Sequence, residues 1–343
     1  MDYKESGVDI EAGEKAVCNI KQIVRSTFNS NVLTELGSFG GLYRLDMQAW
    51  SHPVMVSSTD GVGTKLIVAQ KAKRYDTVGQ DLVNHCVNDI FVQGATPQFF
   101  NDYIGTGRLC PAIVEEIIQG MTVACRENEM SLIGGEMAEM PGIYREEDFD
   151  LVGTIVGLVE EQNIITGANI KAGDVIIGFA STGLHTNGYS LARQIIFEKL
   201  NLGIDSYISQ LNGTVSELLL AVHKSYYPML RKWATPEQIH GMAHITGGGL
   251  KGNIKRIIPE GLSAVIDCQS YPVPPLFEWL VNEGDIPLSE AYRVFNMGIG
   301  FVVIAPAPIT DNILQDTAGY KIGIITPKDS TEPVILQKGG FLL

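Results

Sequence analysis

The stretch Val54-Met-Val-Ser-Ser-Thr-Asp60-Gly-Val-Gly-Thr-Lys65 says most about the fold of this chain. Its pattern predicts a buried strand that ends at an acidic residue, then a turn with two glycines, then the start of a helix. Glycines allow close backbone approach and a helix start presents free N–H groups, so this pattern favours phosphate binding. The spacing is not that of a Walker A loop. A plainer alternative is a tight turn in which Asp60 caps the helix.

Outward from this stretch, apolar periodicity alternates between strands and helices along the chain. Strands are predicted at 53–59, 98–104, 130–133, 151–159, 174–180, 262–267 and 299–305, and helical segments at 14–28, 77–95, 111–126, 188–200, 214–233, 247–258 and 274–283. This order is typical of α/β or α+β proteins. A polar, glycine-containing link at 166–173 predicts two domains, residues 1–168 and residues 169–343.

Composition and charge exclude several classes of protein. The 343 residues are 45% apolar and 19% charged, which excludes wholesale disorder, and the net charge of −14 disfavours a general nucleic-acid or anionic-membrane binder. The apolar stretches are far shorter than the ~18 residues of a membrane span, and the charged N-terminus is unlike a secretory signal. Five scattered cysteines indicate reduced thiols. We therefore expect a cytoplasmic protein with neither nucleic acid nor membrane as a partner.

Three acidic residues are candidate metal ligands. Asp60 follows the first strand, Asp89 lies on the helix predicted at 77–95, and Glu136 follows a pair of glycines. That helix is apolar around most of its circumference, so its polar seam, which includes Asn88, indicates an internal site rather than a solvated face. Because Mg²⁺ prefers one or two carboxylates together with phosphate oxygens, the three acids together predict metal–phosphate chemistry.

The second half of the chain contains two further loops of small and polar residues. His185 and Asn187 lie in the first and are candidate acid–base or hydrogen-bonding groups. The second loop, residues 244–253, contains Gly247, Gly248 and Gly249 and matches the GxGxxG pattern of dinucleotide-binding folds. Residues 238–244 lack the apolar run of a buried parallel strand, which disfavours that fold. A phosphate loop at a helix start is the favoured interpretation, and a simple glycine turn is the alternative.

Taken together, these motifs resemble the phosphoribosylformylglycinamidine cyclo-ligase family, the aminoimidazole ribonucleotide synthetases. The resemblance runs from about residue 3 to about residue 336. DGVGTK alone is shared more widely among ATP-using relatives, whereas the N-terminal, HTNGYS and HITGGG segments are more specific. The matching segments are YKESGVDIEAG at 3–13, TDGVGTK at 59–65, VND at 87–89, GGEMAEMPG at 134–142, HTNGYS at 185–190 and HITGGG at 244–249.

The resemblance implies an activity and an architecture. In this family ATP and formylglycinamidine ribonucleotide become aminoimidazole ribonucleotide, ADP and phosphate, the fifth step of de novo purine synthesis. The implied fold has an N-terminal domain for ATP, Mg²⁺ and dimerisation, whose strands form a barrel across a homodimer. A C-terminal α/β domain binds the substrate, and the active site lies in the cleft between the two. A monovalent cation such as K⁺ is a further candidate cofactor.

The resemblance also implies roles for individual residues. His185, Asn187 and Lys21 match catalytic or substrate-orienting positions, and Asp60, Asp89 and Glu136 match metal-ligand positions. The positions that would bind the nucleotide or its phosphates are Asp60, Gly61, Gly63, Thr64, Lys65, Asn88, Gly134, Gly135, Gly247, Gly248 and Gly249.

Two other classes remain as alternatives. One is a different enzyme of the same superfamily, such as a thiamine-monophosphate kinase, a selenophosphate synthetase or the ligase of the preceding purine step. The absence of an early cysteine nucleophile motif disfavours selenophosphate synthesis, and the chain is too short for the large form of the preceding enzyme. The other class is a non-catalytic nucleotide-binding relative, which the three retained acids disfavour.

Overall fold

The computed structural model of the protein describes residues 7, 9–328 and 332–343, so the first residues of the motif at 3–13 lie outside the described part. The chain forms two compact units. The first ends at Glu161, apart from the short segment Phe91–Gly94, which belongs to the second unit together with the residues from Gln162 onward. The structure thus divides the chain a few residues before the link predicted at 166–173. The expected two-domain α/β fold is confirmed.

The first unit is a four-stranded sheet with helices against one face. Its strands follow the order β1-β4-β2-β3, with β2 and β3 parallel and the other pairs antiparallel. The elements are α1 (Ile10–Arg25), β1 (Pro53–Gly61), α2 (Lys65–Ala72), α3 (Asp76–Phe91), β2 (Thr96–Thr106), α4 (Pro111–Glu127), β3 (Ser131–Glu139) and β4 (Phe149–Glu160).

The core of the first unit lies between this sheet and α3 and α4. The apolar residues of α3 predicted to be buried, including Leu82, Val83 and Val87, are completely inaccessible to solvent. The opposite face of the sheet is more open, since alternate residues of β1 are exposed and Met55 is 68% exposed. Alternation of this kind is expected for an antiparallel sheet with one face packed on its core.

The second unit is built on a seven-stranded mixed sheet. Its order is β13-β12-β9-β11-β5-β10-β8, in which only the β9–β12 pair is parallel. Every residue of β10, which pairs with β5 on one side and β8 on the other, is buried. The elements are β5 (Val175–Ala180), α5 (Tyr189–Arg193), β6 (Tyr207–Ile208), β7 (Gly213–Thr214), α6 (Val215–Leu219), α7 (Tyr227–Leu230), β8 (Gly241–His244), α8 (Gly249–Ile254), β9 (Leu262–Asp267), α9 (Pro275–Gly284), α10 (Leu288–Val294), β10 (Ile299–Ala305), α11 (Ala307–Thr317), β11 (Tyr320–Pro327), β12 (Val334–Lys338) and β13 (Phe341–Leu342).

Several predicted elements differ from the observed ones. The strand predicted at 130–133 continues to Glu139 as β3, so the paired glycines lie inside a strand rather than in a loop. The helical segment predicted at 214–233 is interrupted between α6 and α7, and α8 ends well before residue 258. A buried strand, β8, occupies part of 238–244, but it pairs antiparallel with β10. The sequence disfavoured a dinucleotide-binding fold because no strand was expected here. A strand is present, but its antiparallel pairing excludes the parallel βαβ unit that such a fold requires.

The five cysteines, all among the described residues, are free thiols, as expected. Within the same residues we find no helix whose length and apolar character would suit a membrane crossing.

Candidate active site

Two of the predicted metal ligands meet on the first unit. Asp60 stands near the end of β1 and Asp89 on α3, and the imidazole of His85, one helical turn before Asp89, lies beside both. His85 Nε2 is 2.7 Å from Asp60 Oδ2 and 3.7 Å from Asp89 Oδ2. Ser58 Oγ donates to Asp89 Oδ2 at 3.4 Å. The three ligand atoms lie within 4.8 Å of one another, so they can share one small ion.

The electrostatics of this cluster follow from its partial burial. The side chains of Asp60 and Asp89 are 44% and 27% exposed, whereas that of His85 is buried. Burial by itself lowers the pKa of His85, but the hydrogen bond to Asp60 and the charges of Asp89 and Asp60 outweigh it, so the pKa is raised. The carboxylates of Asp60 and Asp89 are therefore accessible to a ligand, whereas the imidazole of His85 is buried beside them.

The donor set of this cluster fits a divalent cation. Mg²⁺ takes one or two carboxylate oxygens and fills its remaining positions with water and phosphate oxygens, and Asp60 and Asp89 offer accessible oxygens of that kind. Glu136 does not join them. The strand order β1-β4-β2-β3 places Glu136, on β3, three strands away from Asp60, on β1, a separation of roughly 14 Å. The three acids predicted as one set therefore occupy two places.

The turn after β1 does not place Asp60 at the cap of the following helix, which was the plainer alternative from the sequence. Helix α2 starts after Thr64, and Asp60 Oδ1 accepts instead from the N–H of Gly61 at 2.7 Å, so the helix-cap alternative for Asp60 is wrong. Gly63 has a positive φ of 69°, which a residue with a side chain rarely adopts. The turn between β1 and α2 therefore depends on a glycine at position 63.

Lys65, expected at the nucleotide, lies inside the protein instead. Its ammonium group is completely buried and pairs with the equally buried Asp81 at 2.7 Å. Desolvation lowers the pKa of Lys65 despite the opposing effect of Asp81. The amide of Asn88 is also buried. The side chains of Lys65 and Asn88 therefore belong to the protein interior and are inaccessible to a nucleotide in this structure.

A cavity of about 380 Å³ lies elsewhere on the same unit, between α1, α4, β2, β3 and the glycine-rich residues 36–41. Val17 and Val24 of α1 line it together with Ile118 of α4. Lys21, exposed on α1, lies one helical turn after Val17. The side chains that line the cavity are mainly apolar, and its charged or titratable lining residues are Glu35, Asp102 and Glu136, so Lys21 lies near the lining residues of α1 without being one of them.

Gly134 and Gly135 line this cavity as strand residues, so they are not the phosphate-type turn expected from the sequence. A Cβ at Gly135 would collide with the carboxyl group of Asp102 on β2, and a Cβ at Gly134 would lie 3.2 Å from the Asn101 amide oxygen. The glycines therefore make room for two polar side chains of the neighbouring strand. No local signal in the sequence had marked Asp102.

Glu139, from the same motif, has a structural role. Its two carboxylate oxygens accept hydrogen bonds from the backbone N–H groups of Asp9, at 2.6 Å, and Leu109, at 2.7 Å. Asp9 in turn caps α1 through the N–H of Ala12. Glu139 thus joins the start of α1 to the β2–α4 loop.

The second unit brings its histidines together. The rings of His185 and His223 stack with their centroids 4.0 Å apart, and His223 Nε2 lies 3.0 Å from His244 Nε2. His185 Nε2 accepts from the backbone N–H of Thr182 at 3.2 Å, which places the proton of a neutral ring on Nδ1. His185 is buried and has a φ of 61°, a backbone position usually left to glycine. His223 carried no signal in the sequence, because its partners are distant along the chain.

The tight packing around His185 depends on Gly300 of β10. A Cβ at this position would collide with the Tyr226 hydroxyl and with the His185 ring. The Tyr226 hydroxyl donates to the carbonyl of Ala180 at 2.9 Å. The ring of His185 is thus held against the sheet rather than in open solvent.

Asn187 and the glycine loop lie next to each other. A Cβ at Gly247 would lie 3.4 Å from the Asn187 amide oxygen. The loop is held by Asn253, whose amide donates to the carbonyls of Gly247 and Gly249 at 3.3 and 2.9 Å. Because α8 has only six residues and begins at Gly249, the helix contributes little to anion binding.

These two units correspond to a known class of proteins. Residues 45–159 match the family described as AIR synthase related protein, N-terminal domain, and residues 171–335 match AIR synthase related protein, C-terminal domain. A phosphoribosylformylglycinamidine cyclo-ligase of Trichlorobacter lovleyi is 47% identical, covering 97% of this chain and 98% of that protein. A phosphoribosylformylglycinamidine cyclo-ligase of Alkaliphilus metalliredigens is 44% identical, covering 98% of this chain and 99% of that protein. The chain belongs to the phosphoribosylformylglycinamidine cyclo-ligase family.

Solved structures share the fold at low identity. Thiamine-monophosphate kinase from Stenotrophomonas maltophilia superposes with a TM-score of 0.70 at 15% identity, covering 95% of this chain and 97% of the kinase. Hydrogenase maturation protein HypE in complex with ATP gives a TM-score of 0.68 at 17% identity, covering 99% and 95%. These likenesses show the fold alone, whereas the sequence comparison assigns the family.

Proposed function

We propose that this protein closes the imidazole ring of aminoimidazole ribonucleotide from formylglycinamidine ribonucleotide, with conversion of ATP to ADP and phosphate. This is the fifth step of de novo purine synthesis. The observation that carries the proposal is the 47% identity to the Trichlorobacter lovleyi cyclo-ligase along almost the whole of both chains. A kinase-like relative shares only the fold, at 15% identity, and is therefore the weaker alternative.

The reaction requires an amide oxygen to leave, which it does poorly by itself. The γ-phosphoryl group of ATP passes to the formyl oxygen, ADP departs, an internal nitrogen attacks the activated carbon, and the oxygen leaves as phosphate. Phosphoryl transfer depends mainly on positioning and on neutralisation of charge. Mg²⁺ would supply part of that neutralisation, and Asp60 and Asp89 are the residues that would hold it. Glu136, three strands away, would belong to the nucleotide cavity instead.

The 380 Å³ cavity of the first unit is the proposed nucleotide site. Its volume falls within the range of roughly 300–1,000 Å³ typical of ligand pockets, and its walls combine apolar side chains with a few polar groups. Residues 36–41 and the strand glycines Gly134 and Gly135 let the backbone approach a ligand closely. Lys21 would contribute a positive charge to the phosphates. Lys65 would act only by supporting the motif, through its buried pair with Asp81.

The loops of the second unit are the proposed substrate site. Asn187 and Gly247 are neighbours, so an amide side chain and a glycine backbone can contact the same ligand. His185 is buried and held on two sides, by the Thr182 N–H and by the ring of His223. This supports a positioning role for His185 toward the reacting group.

We further propose a cytoplasmic homodimer. The open face of the first unit's sheet supports it, because Met55 is largely exposed there and Val156 and Phe99 are half-buried beside each other in register. A second copy could cover this face and close the sheet into a barrel. We also propose a monovalent cation such as K⁺ as a further cofactor, without assigning residues to it.

One experiment tests the activity directly. The purified protein is incubated with ATP, Mg²⁺ and formylglycinamidine ribonucleotide, and both ADP and the aminoimidazole product are measured. We expect equal amounts of ADP and aminoimidazole ribonucleotide. A parallel reaction with thiamine monophosphate in place of formylglycinamidine ribonucleotide tests the kinase alternative. Failure to form either product, under conditions in which a known cyclo-ligase works, would refute the proposal. Phosphorylation of thiamine monophosphate would favour the kinase alternative.

A further inference from the structure

Asp102 is an acidic residue in the middle of the sheet of the first unit. It lies on β2, is 9% exposed, and lines the 380 Å³ cavity. The residues on either side of it in register are glycines, Gly153 on β4 and Gly135 on β3. A side chain at Gly135 would collide with the carboxyl group. The carboxyl group of Asp102 thus occupies the space that a side chain at position 135 would fill, and it lines the cavity there.

This carboxyl group has little to satisfy it within the protein. Among the described residues, the one group that favours its charged form is its own backbone N–H. The apolar residues that share the cavity with it include Ile20, Ile118 and Leu132. Burying a polar group without a partner destabilises the fold, so a carboxyl group kept here is better explained by a ligand than by packing.

The charged and titratable surroundings of Asp102 are acidic or neutral. Glu35 of the glycine-rich segment and Glu136 of β3 line the same cavity, and Cys125 of α4 interacts with Asp102 electrostatically. Desolvation raises the pKa of Asp102 to about 7, against the lowering effect of its own backbone N–H. A substantial fraction of the carboxyl groups therefore carry a proton at neutral pH, which gives this side chain both a donor and an acceptor.

Of the Watson–Crick edges of the two purines, a neutral carboxyl group matches that of adenine. Its O–H can donate to N1 of adenine while its carbonyl oxygen accepts from the exocyclic N6 amine. An ionised carboxylate only accepts, and would instead suit the N1–H and N2 amine of guanine. We propose that Asp102 is the residue that selects the base of the nucleotide, by a two-point contact with the N1–N6 edge of adenine. This inference rests on the proposed ATP-dependent function.

Variants of Asp102 and analogues of ATP test the contact together. The non-hydrolysable analogue AMP-PNP and the corresponding triphosphate of purine riboside, which lacks the N6 amine, are titrated calorimetrically into each protein. Because one hydrogen bond is worth about 3- to 10-fold in affinity, the wild type should prefer AMP-PNP by about that factor. Asp102→Ala should weaken AMP-PNP by about tenfold or more and bind both analogues alike. Asp102→Asn should restore the preference, since an amide also offers one donor and one acceptor in a plane.

Asp150→Ala is the matched control, because Asp150 is an acidic strand residue of β4 outside the cavity. It should behave like the wild type. If Asp102→Ala keeps the full preference for AMP-PNP, or if the wild type has none, the inference is wrong while the proposed function stands. If the wild type binds neither analogue and forms no product, the proposed function itself fails. Should Asp102→Ala not fold, the pH dependence of binding decides, because the wild type should lose its preference for AMP-PNP as the pH rises above 7 and Asp102→Asn should keep it; an unchanged preference in the wild type would contradict the inference.

Discussion

The substitution Asp102→Asn should change how the stability of the first unit depends on pH. The pKa of Asp102 is about 7 in the folded protein, against an ordinary value of 3.8, and the cause is desolvation. Because the folded pKa is the higher one, the protonated group stabilises the fold fully below pH ~4, and this contribution is lost as the pH rises from there through 7. Protonation of Asp102 contributes about 4 kcal/mol in total to the free energy of unfolding, and about 3 kcal/mol of this is lost between pH 5 and pH 8.

The asparagine variant has no proton to lose, so this pH dependence should disappear. Relative to the variant, the wild type should therefore become less stable by about 3 kcal/mol between pH 5 and pH 8. We would measure urea unfolding by pulsed hydrogen exchange and mass spectrometry, and follow peptides from β2 and β3. These peptides report the first unit by itself, which matters because a two-domain protein need not unfold in a single step.

The comparison of pH profiles removes effects common to both proteins. Any stability that the Asp102→Asn variant loses through an unsatisfied amide is the same at each pH and cancels in the difference. Asp150→Asn provides the control, and its profile should parallel the wild type. Parallel profiles for the wild type and Asp102→Asn would refute the reasoning, since they would mean that the Asp102 carboxyl group titrates normally and is not desolvated.

Three further predictions concern the candidate site and its support. Asp60→Asn should lower kcat at least tenfold with an unchanged circular dichroism spectrum, because it removes a proposed metal ligand whose side chain is half exposed; near-normal kcat would exclude that role. Lys65→Met should cost about 3–5 kcal/mol in urea unfolding, since it leaves the Asp81 carboxylate buried without its cation, and the double variant Lys65→Met/Asp81→Leu should recover much of it. Gly300→Ala should cost about 1–3 kcal/mol by overpacking against Tyr226, and an unchanged Tm would contradict the close packing there.

Local pattern predicted much of this protein correctly. The apolar periodicity of α3 predicted a buried helix, and α3 is buried. The strand, acid and glycine turn at 54–65 placed Asp60 at a strand end, which is where it lies. These features depend on residues within a few positions of one another, so a single segment contains the information. The order of the motifs along the chain was likewise sufficient to indicate the family.

Only the tertiary structure decided which of these residues share a site. Two strands, β4 and β2, lie between Glu136 and Asp60, although glycines accompany both acids in the sequence. Helix packing buries Lys65 against Asp81, and chain crossings bring His223 to His185. Strand register leaves Asp102 between two glycines, in a cavity that neither its neighbours nor its own residue type indicate. A sequence therefore determines local conformation through adjacent residues, whereas solvent exposure and the sharing of a site depend on long-range pairing that no single segment encodes.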